Sequence, residues 1–159
     1  MKTVILITGS NLGNRKQNLD DAKNHIEQIY KITVTSSIYE SEPWGYNDST
    51  NYLNQIIVIK TNNNPQKILS DILEIEKKMG RIREGNYYTA RIIDIDILFY
   101  ENEIINTHDL KIPHPQLHKR KFVLLPMIEL FPGWIHPILK KTVTELLEIC
   151  EDNSQVIKI

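Results

Sequence analysis

The chain opens on an apolar run from Thr3 to Thr8, closed by Gly9, a pattern that predicts a buried central strand. Leu19, Ala22, Ile26 and Ile29 then recur at helical spacing, with Asn14 placed to cap the first turn. Ile32 to Tyr39 is β-branched and partly alternating, which predicts a strand. The stretch Glu42-Pro43-Trp44-Gly45-Tyr46-Asn47-Asp48 has the turn chemistry of a long loop, and Tyr52 to Thr61 predicts a second long strand. The best-punctuated element follows. Asn64 offers a cap, Pro65 takes the first helical position, and Ile68, Ile72, Ile75 and Met79 make an apolar stripe. Lys77 and Lys78 suit the negative end of the helix dipole, and Gly80 ends the helix. Ile92 to Tyr100 predicts another strand. Shorter elements come after it: Glu103 to Ile105, Leu110 to Ile112, and a helix from about Lys121 to Leu130 that Pro126 is placed to kink. A helix near Val143 to Ile149 and a strand from Gln155 to Ile159 close the chain.

The order β-α-β-β-α-β is that of a ferredoxin-like α+β sandwich, an antiparallel sheet with helices on one face. Such a fold hosts many activities and licenses none by itself. A length of 159 residues fits one domain, 1–159, and no repeat or linker divides it.

Composition narrows the classes. A net charge of −1 gives no general attraction for nucleic acid, so any phosphate-handling charge must be local. Such groups exist: Arg81, Arg83, Arg91 and the block His118-Lys119-Arg120-Lys121. The lone Cys150 rules out an internal disulfide and a multi-thiolate metal site, which suits a reducing compartment. No run reaches the roughly 18 apolar residues of a membrane span, and the N-terminal run is too short for a signal peptide. The expected location is the cytoplasm, away from membranes.

The segment with chemistry is Arg91-Ile92-Ile93-Asp94-Ile95-Asp96-Ile97-Leu98. Alternate side chains of a strand share a face, so Asp94 and Asp96 point one way and Ile93, Ile95 and Ile97 the other. Two carboxylates about 7 Å apart along a strand can grip one or two hard cations. Mg²⁺ held by one or two carboxylates and by substrate phosphates is the usual form of such a site. The tripeptide alone is more often a solvated strand face carrying two unrelated acids. Arginines change that balance. Arg91 lies three residues before Asp94, while Arg81 and Arg83 follow a helix end. Phosphoryl transfer needs metal ions and guanidinium groups around the phosphate oxygens and little covalent work from the protein. Arginine suits this better than lysine because its planar fork can hold two oxygens.

These residues, Arg91-x-x-Asp94-Ile95-Asp96-Ile97-Leu98, resemble the signature of the 6-hydroxymethyl-7,8-dihydropterin pyrophosphokinase family. The resemblance runs in the family's order from Gly9-Ser10-Asn11-Leu12-Gly13 to at least Pro126. Its further blocks are Ser37-Ile38-Tyr39-Glu40-Ser41-Glu42-Pro43-Trp44-Gly45, Tyr52-Leu53-Asn54-Gln55 and Glu76-x-x-x-Gly80-Arg81-x-Arg83. Asn106 and Pro113-His114-Pro115-x-Leu117-His118-x-Arg120-x-Phe122 complete it. The family fold is the same ferredoxin-like sandwich.

The resemblance implies pyrophosphate transfer from ATP to the hydroxymethyl group of a pterin, releasing AMP, in folate biosynthesis. It implies ATP as co-substrate and two Mg²⁺ ions on Asp94 and Asp96. Arg81 and Arg91 would bind the phosphates, with Arg83 assisting from a loop. His114 and Arg120 would contact the nucleotide, and Glu76 would lie at the ATP site. Asn54 would hydrogen-bond the pterin, Tyr52 and Phe122 would sandwich it, and the backbone of residues 42 to 45, around Glu42, Trp44 and Gly45, would read its edge. A flat ring between two aromatic faces gains about 0.5–1.5 kcal/mol beyond area burial, and an amide offers both donor and acceptor. Tyr52 and Phe122 on sequence grounds alone fit ordinary core packing as well. His114, between two prolines, is expected in the site but not as a general base. Gly9 to Gly13 lacks the Gly-Lys-Ser/Thr of a Walker loop and is expected to be structural.

One block departs from the family. Many relatives carry a basic residue, Trp, Gly and Pro where this chain has Tyr87, Tyr88, Thr89 and Ala90. Tyr88 is the candidate replacement for the aromatic lid. Two other readings stand beside the transferase. A two-metal nucleotidyltransferase or nuclease would use the same Asp pair but needs a basic groove. An RNA-binding module of this fold needs exposed aromatics on its central strands, and Thr3 to Thr8 has none. The expected partners are therefore ATP and a pterin alcohol, not nucleic acid or membrane, with the chain acting as a monomer.

Overall fold

A computed structural model of the protein describes residues 1–43, 50–80 and 92–159. Strands β1 (Lys2–Ser10), β4 (Tyr52–Thr61) and β5 (Asp94–Tyr100) form the centre of an antiparallel sheet, with β1 between the other two. On its far side β4 pairs with β2 (Lys31–Thr35) along one half and with β3 (Tyr39–Ser41) along the other. Strand β8 (Val156–Lys158) adds to β3. A small separate ribbon joins β6 (Ile105–Asn106) to β7 (Lys111–Ile112). The sheet is open and antiparallel, as expected for the ferredoxin-like class.

Two of the helices read from sequence carry the caps assigned to them. Helix α1 (Arg15–Glu27) starts at Asn14, whose Oδ1 accepts from Gln17 N at 3.1 Å. Helix α2 (Pro65–Lys78) starts at Asn64, whose Oδ1 accepts from Lys67 N at 2.9 Å, and Gly80 leaves it at φ +87°, a left-handed conformation open to glycine. Both pack on one face of the sheet. Leu19, Ala22 and Ile26 of α1 and Ile68, Ile72 and Ile75 of α2 share a core with Val4, Leu6, Ile57, Ile59, Ile95 and Ile97.

The expectation of helices on one face only is corrected. Helices α3 (Lys121–Leu130) and α4 (Val143–Glu148) cover part of the opposite face. Their Val123, Leu124, Met127, Val143 and Leu146 pack with Ile5, Ile7, Ile56, Val58, Leu98 and Phe99. Near-continuous apolar runs in the central strands are the signature of this burial on both faces. The single expected strand from Ile32 to Tyr39 is also two strands. Buried Ser36 turns inward between them: its Oγ accepts from Ile56 N, and its carbonyl accepts from Gln55 Nε2, both at 2.9 Å.

One register feature decides the chemistry. Ile5 pairs with Phe99 but Leu6 pairs with Ile97, so Leu98 is an extra residue in β5. A bulge reverses the alternation beyond it. Asp94, Asp96 and Leu98 thus share the α3 face, while Phe99 joins Leu98 in that core and Tyr100 returns to the α1–α2 core.

Candidate active site

Asp94 and Asp96 stand half-buried on the α3 face of β5, with Ile93, Ile95 and Ile97 buried behind them. The expected two-face arrangement is therefore present. Glu76 of α2, 1% exposed, comes from the other face and accepts from Ile95 N through Oε2 at 2.9 Å. It grips the backbone between the two aspartates, so it reaches the site from behind the strand. Among the described residues no three metal-ligating side chains converge. Two hard-oxygen carboxylates on one strand face still fit Mg²⁺, which usually takes one or two protein carboxylates and completes its shell with phosphates and water.

Beside Asp96 lies His114, with Nε2 at 3.9 Å from Asp96 Oδ2. Its Nδ1 accepts from Gln116 N at 3.1 Å, which leaves the proton on Nε2, the nitrogen facing Asp96. Burial, then the Arg120 guanidinium, push the imidazole down to about 4 against an opposing pull from Asp94. At neutral pH the contact is consequently not an ion pair: His114 is a neutral donor aimed along the carboxylate face. The backbone N–H received at Nδ1 fixes the ring in that orientation. Arg120 follows and lies over the Phe122 ring, with Cζ at 5.7 Å from the ring centre.

The third part of the site is built across the strands. Asn54 pairs with Gly9, and Gly9 pairs with Asp94, so one row crosses β4, β1 and β5. Two interstrand spacings, about 10 Å, separate its ends. Asn54 is buried, its Oδ1 accepting from Ser41 Oγ at 3.2 Å and its Nδ2 donating to Thr8 O at 3.4 Å. A side chain on Gly9 would meet Asn54 Nδ2 at 2.6 Å and Tyr52 Cδ1 at 3.5 Å. Gly9 is there for room, since both side chains lie across its backbone. The turn after β1 is tied by its side chains: Asn18 Nδ2 bonds Leu12 O, and Asn11 Nδ2 bonds Thr50 O.

Of the residues singled out from sequence, the structure brings Asp94, Asp96, His114, Arg120, Phe122, Tyr52 and Asn54 to one sheet face and its rim. Glu42 is exposed just past β3. Arg81, Arg83, Arg91, Trp44, Gly45 and Tyr88 lie outside the described residues. Ser41 and Thr8 were missed as holders of Asn54: they sit opposite Tyr52 and Gln55 on the strands either side of β4, a placement that no local pattern signals.

Burial also shapes the acid response. His136 is 4% exposed, its Nδ1 accepts from Ile138 N and Leu139 N, and its ring packs edge-on against Phe99 and His118. Burial, then His118, push it down to about 4. An unfolded chain would protonate His114 and His136 near 6.5 whereas the folded one resists until about 4. Their contribution is complete above pH 6.5 and is lost as pH falls from there toward 4. Urea midpoints are expected to decline across that window, and His136→Asn is expected to flatten the decline. A midpoint constant from pH 7 to 4.5 would contradict this account.

An open α+β sheet thus carries paired carboxylates, a neutral histidine and an arginine at one rim, a set of groups suited to phosphate. The comparisons specify it further. The family model for 7,8-dihydro-6-hydroxymethylpterin-pyrophosphokinase matches residues 5–132. The chain is 42% identical over 145 residues to the 2-amino-4-hydroxy-6-hydroxymethyldihydropteridine pyrophosphokinase of Aquifex aeolicus, covering 91% of this chain and 90% of that one. It is 35% identical to the Haemophilus influenzae protein of the same name, covering 98% of each. The fold is similar to that of the Plasmodium falciparum HPPK-DHPS crystal structure with pteroate, with TM-score 0.75 and 20% identity. That match covers 92% of this chain, which spans 42% of the larger one. The chain belongs to the hydroxymethyldihydropterin pyrophosphokinase family.

Proposed function

We propose that the protein transfers pyrophosphate from ATP to the hydroxymethyl group of 6-hydroxymethyl-7,8-dihydropterin, releasing AMP, as a step of folate biosynthesis. The observation that carries this reading beyond family membership is the row Asn54–Gly9–Asp94. It sets an amide suited to a pterin edge on the same face as a carboxylate suited to nucleotide-bound Mg²⁺. The hydroxymethyl oxygen attacks the β-phosphorus, the bond from that phosphorus to the bridging oxygen of the α-phosphate breaks, and the hydroxyl proton passes to solvent.

Asp94 and Asp96 would hold two Mg²⁺ ions, whose contribution is to neutralise charge on the phosphate oxygens. Arg81 and Arg91, with Arg83, would bind those oxygens by forked hydrogen bonds. His114 would donate from Nε2, and Arg120 would add charge beside it. Glu76 holds the backbone between the aspartates. Tyr52 and Phe122 would sandwich the ring with Tyr88 as a further aromatic cover, and Glu42, Trp44 and Gly45 would present backbone to its edge. None of these side chains is a strong base, and a loose transition state asks for none.

The same reading makes residues 1–159 one domain, active as a monomer in the cytoplasm and without nucleic-acid or membrane partners. The net charge of −1 gives no general attraction for nucleic acid, and among the described residues no helix is long and apolar enough to cross a membrane. The test is to incubate the protein with ATP, Mg²⁺ and 6-hydroxymethyl-7,8-dihydropterin and identify the nucleotide released. AMP that forms only with the pterin present is the expected result. ADP, or AMP formed without the pterin, would overturn it.

A further inference from the structure

Helix α3 carries Phe122 in its first turn and has no cap of its own. Its N-cap position is Arg120, whose side chain makes no capping bond, and the first turn holds no acidic residue. Pro126 also lacks the N–H that would bond the carbonyl of Phe122 four residues back. The first turn would therefore be loosely held by its own sequence.

The hold comes from the far end of the chain. Asp152 Oδ2 accepts from Lys121 N at 2.9 Å, and Lys121 Nζ donates to Ser154 O at 3.4 Å. Asp152 is itself fixed, since its Oδ1 accepts from Ser154 N at 3.0 Å and Ser154 Oγ at 2.6 Å. These hydrogen bonds hold its carboxyl below the usual range against the opposing effect of burial, so it is ionised where the enzyme works. A few residues on, β8 pairs with β3, setting Val156 opposite Ser41, the residue that donates to Asn54. Lys158 Nζ lies 3.8 Å from Glu129 at the other end of α3, and Glu129 accepts from Tyr39 Oη and from Ser37. Asp152, Ser154, Val156 and Lys158 lie beyond residue 132, where the match to the family model stops.

We propose that the segment 150–158 is a clamp that positions the pterin wall, with Asp152 as a positioning residue acting on Phe122 through the backbone of Lys121. The clamp joins the two sides of that wall, α3 with Phe122 and β3 with Ser41, and rests on the reading of Phe122 and Asn54 as pterin contacts. The carboxylates and His114 belong to β5 and the turn after β7, whereas the bonds of the segment given above run to α3 and β3. Its loss thus weakens pterin binding selectively.

The test measures KM for pterin and for ATP, with kcat, in the full-length enzyme carrying Asp152→Ala, Lys121→Pro, both, or Phe122→Ala. Proline is tolerated at the first helical position, and Arg120 before it, at φ −119° and ψ 107°, has the extended backbone that proline requires. Lys121→Pro thus deletes the N–H that Asp152 accepts and keeps the helix. Lys121→Ala, which keeps the N–H and loses only the amine, is expected to have a smaller effect than the proline. Loss of one charged cap predicts an increase of about fivefold in pterin KM for either change, with kcat and ATP KM within about twofold. The double variant is expected to be no worse than the single ones, because both remove the same bond. Unchanged pterin KM in Asp152→Ala, or additive effects in the double variant, would overturn the clamp. Phe122→Ala separates the two levels: if it leaves pterin KM unchanged, the pterin-wall reading itself fails. An Asp152 variant that weakens pterin and ATP equally would reduce the segment to general stability, which also overturns the proposal.

Discussion

Asp96→Ala is expected to lower the rate of pterin-dependent AMP release by about 10³-fold or more while the protein stays folded. A metal-coordinating carboxylate contributes several kcal/mol of charge stabilisation in phosphoryl transfer, and each 1.36 kcal/mol is a factor of ten in rate. Asp96 is half-buried on an open face opposite Ile7, so the shorter side chain leaves no cavity in either core. Removing one of two like charges on neighbouring positions of the same strand face relieves repulsion, so the urea midpoint is expected to hold or rise. Steady-state AMP formation with circular dichroism on the same sample checks both halves. Activity near that of the unaltered protein would remove Asp96 from the metal site. Loss of fold would show that the carboxylate is structural.

The second large effect is expected at a residue that touches no phosphate. Gly9→Ala places a methyl group 2.6 Å from Asn54 Nδ2, a separation at which one group must move. The backbone of β1 is held by ladders to β4 and β5 on both sides, so Asn54 is the group that yields. Its amide then leaves Ser41 Oγ and Thr8 O, and a pterin held by it would lose its donor–acceptor partner. Breaking a buried amide's contacts and overpacking the site should cost about 1–3 kcal/mol of stability. Pterin affinity is expected to fall about thirtyfold to a hundredfold, with ATP affinity within about twofold. Ligand fluorescence titration against a nucleotide titration on the same variant reads the difference. Full pterin affinity in Gly9→Ala would mean that Asn54 is not the reader of the ring.

Where local chemistry dictates local structure, the chain could be read directly. Asn14, Asn64, Pro65 and Gly80 mark helix ends because unpaired backbone groups in the first and last turns need those residue types, whatever the helix packs against. The long strands β1 and β4 announced themselves by length and branching, and Asp94-Ile95-Asp96 by the two-residue period of a strand. The same period could not show that Leu98 is a bulge, because an extra residue is defined only by the partner strand. Nor could it show that the strand predicted from Ile32 to Tyr39 breaks at Ser36, which is tied to Gln55 and Ile56 of β4.

Sequence by itself determined the carboxylate pair, the class of fold and the kinship to the pyrophosphokinases, since each rests on residue identity or on spacing along one element. Tertiary structure alone decided that Gly9 is room for Asn54, that Glu76 grips the strand from behind, that His114 is neutral, and that Asp152 caps a helix beginning 31 residues earlier. Those features depend on burial and on distances between segments remote in the chain. Packing creates both, and no local pattern encodes them.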